Sequence, residues 1–213
     1  MKIEKVESKY LKSNMYALIE DRHIIMIDPH ENYILDMDCI LDYIILTHEH
    51  CDHISGVNKW KERTNAKIVC STACGEGIKS PKKNLSQYFD VFQEMQNWIN
   101  IEEKIEMIPY MCKADLIFEN EIEISWQNHL IKVFETPGHS KGSECILVDN
   151  EILFSGDSLM RDYSISCGLP GGSKKDWAKT SSILRKLSKN IKVMPGHFEE
   201  FYLEEYGFWD IGT

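Results

Sequence analysis

Four side chains able to bind a metal ion fall within six positions of one another in Thr47-His48-Glu49-His50-Cys51-Asp52-His53. Imidazole nitrogens and carboxylate oxygens of this kind suit zinc best, and iron and manganese also accept them. On an extended or tightly looped segment His48 and His50 point the same way, while a turn through Cys51 brings Asp52 and His53 round to a neighbouring point. One short segment can therefore serve two ions. The chain has 8 histidines in all, and three of them stand here, so chance clustering in a polar loop is the weaker explanation. Three more donors occur in comparable settings: His139 in Thr136-Pro-Gly-His, Asp157 in Ser155-Gly-Asp, and His197 in Met194-Pro-Gly-His. In each, a glycine just before the donor gives a turn sharp enough to aim a side chain off the end of a strand.

Donors at such turns need strands to deliver them. The apolar runs Met15 to Ile19 and Ile24 to Ile27, separated by Glu20, Asp21 and Arg22, predict a hairpin between Asn14 and Asp28. Tyr43 to Leu46 predicts a strand leading directly into Thr47. Ile54 to Arg63 then has helical spacing with Val57 and Trp60 inward, and Ala66 to Cys70 resumes as a strand. Between Gly75 and Asn120 the pattern is less regular. Its aromatic and Met stripe, Tyr88, Phe89, Phe92, Met95 and Trp98, most simply packs on a core, with a pocket role as the lesser reading. Strand signals return at Glu121 to Ser125, Leu130 to Glu135, Cys145 to Val148 and Ile152 to Phe154. A helix follows from Lys174 to Leu187, opened by Ser173 as N-cap, with Trp177, Ile183, Leu184 and Leu187 facing a sheet. A last strand, Ile191 to Met194, ends at the second Pro-Gly-His. Two packed sheets with helices outside satisfy this order.

Length and composition set the frame. A chain of 213 residues suits one core better than two, so residues 1–213 are read as one domain. With 43% hydrophobic and 27% charged residues the composition is that of an ordinary globular protein, and no apolar run reaches bilayer length, so no membrane partner is expected. The net charge of −10 works against nucleic acid, whose backbone is bound by clustered Lys and Arg. Lys79, Lys82 and Lys83 read as a solvated loop. Met1 to Tyr10 lacks the apolar centre of a secretory signal, which points to a cytoplasmic protein. The 7 cysteines lack paired spacing and are expected reduced and mostly buried.

The pattern His-x-His-x-Asp-His, Pro-Gly-His, Gly-Asp and Pro-Gly-His resembles the metallo-beta-lactamase superfamily, from Asn14-Met15-Tyr16 through His197. Within it, Phe154-Ser-Gly-Asp-Ser-Leu-Met-Arg and Gly168-Leu-Pro-Gly-Gly look most like the short glyoxalase II-like hydrolases. The resemblance implies an α+β fold, a four-layer αββα sandwich with metals between the sheet edges. It also implies one ion on His48, His50 and His139, a second on Asp52, His53 and His197, and Asp157 bridging both, with Cys51 a neighbour and not a ligand. Two ions sharing a water would supply a nucleophile near neutral pH. Asp52 would orient it and accept its proton in hydrolysis of an ester-like bond in a small molecule, a thioester or lactone first. Asp28 reads equally as a brace for a ligand or as a strand-end turn residue, and His30 as a solvent-exposed loop histidine before a functional one. His23 and His129 are assigned no role.

The resemblance has gaps. The segment Glu199 to Glu205 is acidic and aromatic where glyoxalase II proper continues into a helical region that binds glutathione with basic residues. Many relatives carry Arg-Thr-Asp where this sequence has Ser166-Cys167-Gly168. The chief rival is a persulfide dioxygenase, which Asp52-His53-Ile54-Ser55-Gly56 also resembles and which would hold a single iron on His48, His139 and Asp157. A nuclease is disfavoured by charge, and a β-lactamase by the retained Asp157. A non-enzymatic scaffold leaves seven retained donors without a purpose. The pocket walls are expected from Gly75 to Met111 and Ser164 to Gly172. Nothing in the pattern fixes an oligomeric state.

Overall fold

In the computed structural model, which describes residues 1–36, 38–95 and 105–209, the strands form two six-stranded sheets. The first sheet runs edge to edge as β1 (Lys2–Glu7), β2 (Asn14–Glu20), β3 (His23–Ile27), β4 (Ile40–Ile45), β5 (Lys67–Ser71) and β6 (Leu116–Phe118). Its first three strands are antiparallel and β3 to β6 are parallel. The second sheet runs β7 (Glu121–Trp126), β8 (His129–Glu135), β9 (Glu144–Val148), β10 (Ile152–Gly156), β11 (Lys192–Pro195) and β12 (Phe201–Tyr202). It is antiparallel except where β10 meets β11. Among the described residues four α-helices complete the fold: α1 (Val57–Arg63), α2 (Thr72–Ile78), α3 (Phe89–Met95) and α4 (Lys174–Leu184).

Alternation along the strands builds the layers. On β2, Tyr16 and Leu18 face the second sheet and join Ile124, Ile131, Val133, Ile146 and Phe154 in the core between the sheets. Met15 and Ala17, one residue out of phase, face the other way and pack with Val57 and Trp60 of α1 and Cys74 and Ile78 of α2. On the far side Cys145, Leu147 and Leu153 meet Trp177 and Leu184 of α4. Period-2 side-chain direction thus gives helix, sheet, sheet, helix, the expected αββα sandwich. Each large apolar side chain fully buried this way contributes about 1.5–3 kcal/mol. The turns agree with the hairpin readings: Asp21 and Arg22 both have positive φ, 48° and 65°, as do Asp149 and Asn150, 51° and 57°. Two successive left-handed residues make the tight turn whose twist matches the flanking strands.

Several elements differ from the sequence reading. Helix α4 stops at Leu184, with Arg185 as its cap. Leu187 still packs on the core from the turn beyond. Ile183 is half exposed instead of facing the sheet, because it lies about 120° round α4 from Trp177 and about 100° from Leu184, on the flank of the buried face. Helix α1 starts at Val57, since Ile54 to Gly56 forms the turns that close the ligand loop. Of the aromatic and Met stripe only Phe89 is fully buried. Phe92 is partly buried, Tyr88 and Met95 are exposed, and Trp98 lies outside the described residues. The amino-terminal segment is an edge strand, its alternating charged and apolar residues matching its half-buried face. No disulfide joins the described cysteines, and six of the seven are buried.

Candidate metal centre

All seven predicted donors come together at one edge of the sandwich, on loops that leave the carboxyl ends of β4, β8, β10 and β11. The first loop follows β4, and its alternation turns His48 and His50 inward. Glu49 turns away, accepting a hydrogen bond from Ser140 Oγ at 2.7 Å beside His139. The turns close tightly: Gly156 has φ +50°, and its missing Cβ makes room for Thr47. A Cβ on Gly196 would overlap the Asp157 carboxylate and lie 2.8 Å from the His53 ring. Glycine before Asp157 and His197 is therefore a steric requirement of this packing.

The donors form two adjoining groups, His48, His50 and His139 in one and Asp52, His53 and His197 in the other, each with ligand atoms within 4.8 Å of one another. In the first, His50 Nδ1 lies 3.0 Å from His139 Nε2. In the second, His53 Nε2 lies 3.4 Å from His197 Nε2 and 3.4 Å from Asp52 Oδ2, with His197 Nε2 3.5 Å from that oxygen. Asp157 stands between them: Oδ2 is 3.4 Å from His139 Nε2 and 3.5 Å from His197 Nε2, and Oδ1 is 3.4 Å from His53 Nε2. A third combination, Asp28, His48 and His53, also satisfies the distances, but Asp28 is already engaged.

Hydrogen bonding fixes which imidazole nitrogens carry lone pairs. Asp28, with φ +49° at the end of β3, accepts from Thr47 N–H at 2.7 Å and Thr47 Oγ–H at 2.5 Å. It also accepts from His53 Nδ1–H at 2.9 Å. Having given its proton to Asp28, the Thr47 hydroxyl can only accept from His48 Nδ1–H, 3.0 Å away. His139 Nδ1–H donates to the Ser166 carbonyl at 2.9 Å. In their neutral forms His48, His53 and His139 are thereby left with Nε2 as the lone-pair atom, the arrangement in which an outer partner orients a metal-binding histidine. His48 Nε2 is buried with no hydrogen-bond partner, a costly state unless a cation takes the lone pair. The donor set thus fits divalent ions.

Electrostatics separate the halves. Burial pushes His48 and His139 down, and burial with the neighbouring His139 pushes His50 down to about 3, so the first group is neutral and electron-donating. Burial alone would raise Asp52 and Asp157, yet the imidazoles of His53 and His197 hold both well below the usual carboxylate range. Burial opposes charge on those two histidines as well, but Asp52 and Asp157 push His53 well up and hold His197 at about 9. Positive charge is what this second group is built to surround.

A cavity of about 300 Å³ opens over His50, Asp52, His139, Asp157 and His197. Its walls include Phe92, Ser164, Ser166 and Leu169 from the two segments expected, but also Leu11, Met160, Tyr163 and Phe198. Those four come from loops with no chemical signature; the only sequence signal is position, since Phe198 follows a donor and Met160 trails the Gly-Asp turn. Thr47, which relays the Asp28 bond to His48, was likewise missed as a working residue. His30 corrects the exposed-loop expectation: it is buried, because Trp60 Nε1 donates to its carbonyl at 2.8 Å and Gly56 N–H to Pro29 O at 2.8 Å. A larger groove of about 810 Å³, walled by Glu49, Lys82, Lys83, Glu135 and Asp176, is lined by none of the seven donors. The chemistry therefore belongs to the smaller cavity.

A sequence model of the metallo-beta-lactamase superfamily matches residues 11–197. A hydroxyacylglutathione hydrolase of Pelagibacter ubique is 25% identical over 197 residues, which span 88% of this chain and 67% of that protein. A probable polyketide biosynthesis zinc-dependent hydrolase of Bacillus subtilis is 23% identical over 92% of this chain and 78% of its own length. The crystal structure of BLEG-1 B3 metallo-beta-lactamase superposes with a TM-score of 0.76 at 22% identity, covering 96% of this chain and 95% of that one.

Proposed function

The chain belongs to the metallo-beta-lactamase superfamily, and we propose that it is a two-metal hydrolase of an ester-like bond in a small molecule, a thioester or lactone foremost. The observation that carries this reading is the pair of adjoining donor groups with Asp157 within 3.5 Å of both. His48, His50 and His139 would hold one ion, Asp52, His53 and His197 the other, and Asp157 would bridge them. Zinc suits the all-nitrogen-and-oxygen set and is named for the Bacillus relative. Bound there, two divalent ions supply Lewis acidity for the carbonyl and acidify a shared water toward a pKa of about 7.

The protein's own part is orientation and proton handling. Asp52 lines the cavity floor and is held ionised by His53 and His197. It is the carboxylate that aligns the attacking water and accepts its proton. Asp28, through Thr47 and His53, keeps ligand imidazoles in one tautomer, so that little reorganisation is needed during reaction. The walls exclude bulk water from the reacting carbonyl. The test is turnover of simple esters, thioesters and lactones by protein purified without chelator, compared with His48→Ala and Asp157→Ala. The expected result is loss of turnover in both, with His48→Ala emptying chiefly the first position and Asp157→Ala weakening both. Near-normal turnover by a folded His48→Ala protein would end this mechanism.

A further inference from the structure

The cavity walls carry a message about substrate that the donor set does not. Away from the donors they are mostly apolar, formed by Leu11, Phe92, Met160, Tyr163, Leu169 and Phe198 with the two hydroxyls of Ser164 and Ser166, and no Lys or Arg is among the described lining residues. The Tyr163 and Phe198 rings lie stacked, with centroids 4.6 Å apart and planes at 11°. Phe198 adopts φ +66°, a left-handed conformation that costs a non-glycine residue about 1–3 kcal/mol and persists only when surroundings enforce it. Here they do: the Phe198 carbonyl accepts from Asn14 Nδ2 at 2.8 Å, and Asn14 also ties down Pro195 O at 3.1 Å and, through its N–H, Gly196 O at 2.7 Å. The strain is thus held by β2, and the ring it directs forms the cavity wall beside His197.

We infer that Tyr163 and Phe198 form the acyl-selecting wall of this site, and that the substrate's acyl group is uncharged and apolar. The inference rests on the hydrolase reading and names its substrate class. An acyl chain laid on the stacked rings gains burial, whereas a carboxylate at the same place would lose its water without finding a cationic partner. A cavity of about 300 Å³ lies at the small end of the range for ligand sites, so the chain is short. The reaction consumes one water: the acyl carbon–oxygen or carbon–sulfur bond breaks, the water oxygen becomes part of the new acid, and a water proton goes to the departing alcohol or thiol.

The experiment compares kcat/KM of the zinc-loaded protein for p-nitrophenyl acetate, butyrate and monosuccinate, with Tyr163→Ala and Tyr163→Phe alongside. Calorimetric affinities for the corresponding non-hydrolysable anilides give a readout independent of turnover. Two extra buried methylenes should favour butyrate over acetate by about fifteen-fold, and the monosuccinate should fall below the acetate. Tyr163→Ala should compress the butyrate-to-acetate ratio below about fourfold, the value of one methylene, while Tyr163→Phe keeps it. The anilides should bind in the same order. If esters turn over but monosuccinate equals butyrate, or Tyr163→Ala leaves the ratio intact, the inference is wrong and the hydrolase reading survives. If no ester, thioester or lactone turns over, both fall together.

Discussion

Replacing Asp28 with Asn keeps the shape of the side chain and removes its charge, at a position that is buried and accepts three hydrogen bonds. Asn can still accept from Thr47 N–H, but its amide then presents N–H to Thr47 Oγ or His53 Nδ1, both of which are donors in the native arrangement. His53 can relieve the conflict by moving its proton to Nε2, which removes the lone pair proposed to hold a metal. Alternatively the Thr47 hydroxyl turns to accept from Asn and releases His48 Nδ1. Either outcome damages one ligand while leaving every ligand in place. Loss of an outer partner of this kind weakens metal binding by about 10–100-fold. Leaving one buried donor unmatched should lower the stability of the metal-free protein by about 1–3 kcal/mol, a drop in Tm of about 2–4 °C per kcal/mol for a chain of this size. Chelator competition gives the affinity and calorimetric melting the stability. An Asp28→Asn protein that melts several degrees lower yet holds both ions with native affinity would refute the tautomer argument. It would leave Asp28 as no more than a strand-end turn residue.

Other expectations can be checked with simple variants. Gly196→Ala puts a methyl into the Asp157 carboxylate and against the His53 ring, so turnover and metal content should fall together; Gly168→Ala, with nothing within 4 Å, should leave both unchanged. Trp60→Ala removes a buried side chain of α1 and its bond to the His30 carbonyl. It should cost about 3–5 kcal/mol in urea denaturation, and a loss under 1 kcal/mol would mean that α1 carries little of the first core. Removing metal should lower Tm in a way that zinc reverses, since ions present at about 100 times Kd add about 2.7 kcal/mol. A melting curve indifferent to chelator would mean that the donor groups do not bind ions in the native protein.

What the sequence made legible follows from how locally each feature is encoded. The seven donors stand in one heptapeptide and three glycine turns, so spacing alone brings them out, and strand alternation gives the two-faced sheets. Helix α2 is hidden because Gly75 and Gly77 fall among its last four residues and lower its propensity; Gly77 is there to let Glu49 pass, a tertiary reason. The ends of α1 and α4 were misjudged by three residues each, where apolar spacing continues through turns that are not helical. Walls such as Leu11, Met160 and Tyr163 come from loops far apart in the chain, and only the folded sandwich brings them to one cavity. His30 read as exposed because the bonds that bury its segment are made to backbone carbonyls, from the Trp60 indole N–H to His30 O and from Gly56 N–H to Pro29 O.

Metal content per chain is the most direct measure of the central claim. Protein purified without added metal or chelator should carry close to two divalent ions, with zinc predominant, and His48→Ala and His197→Ala should each lower the count. A single iron per chain that survives in His197→Ala, with oxygen consumed on addition of a persulfide, would contradict the two-metal hydrolase and make this protein an oxidoreductase.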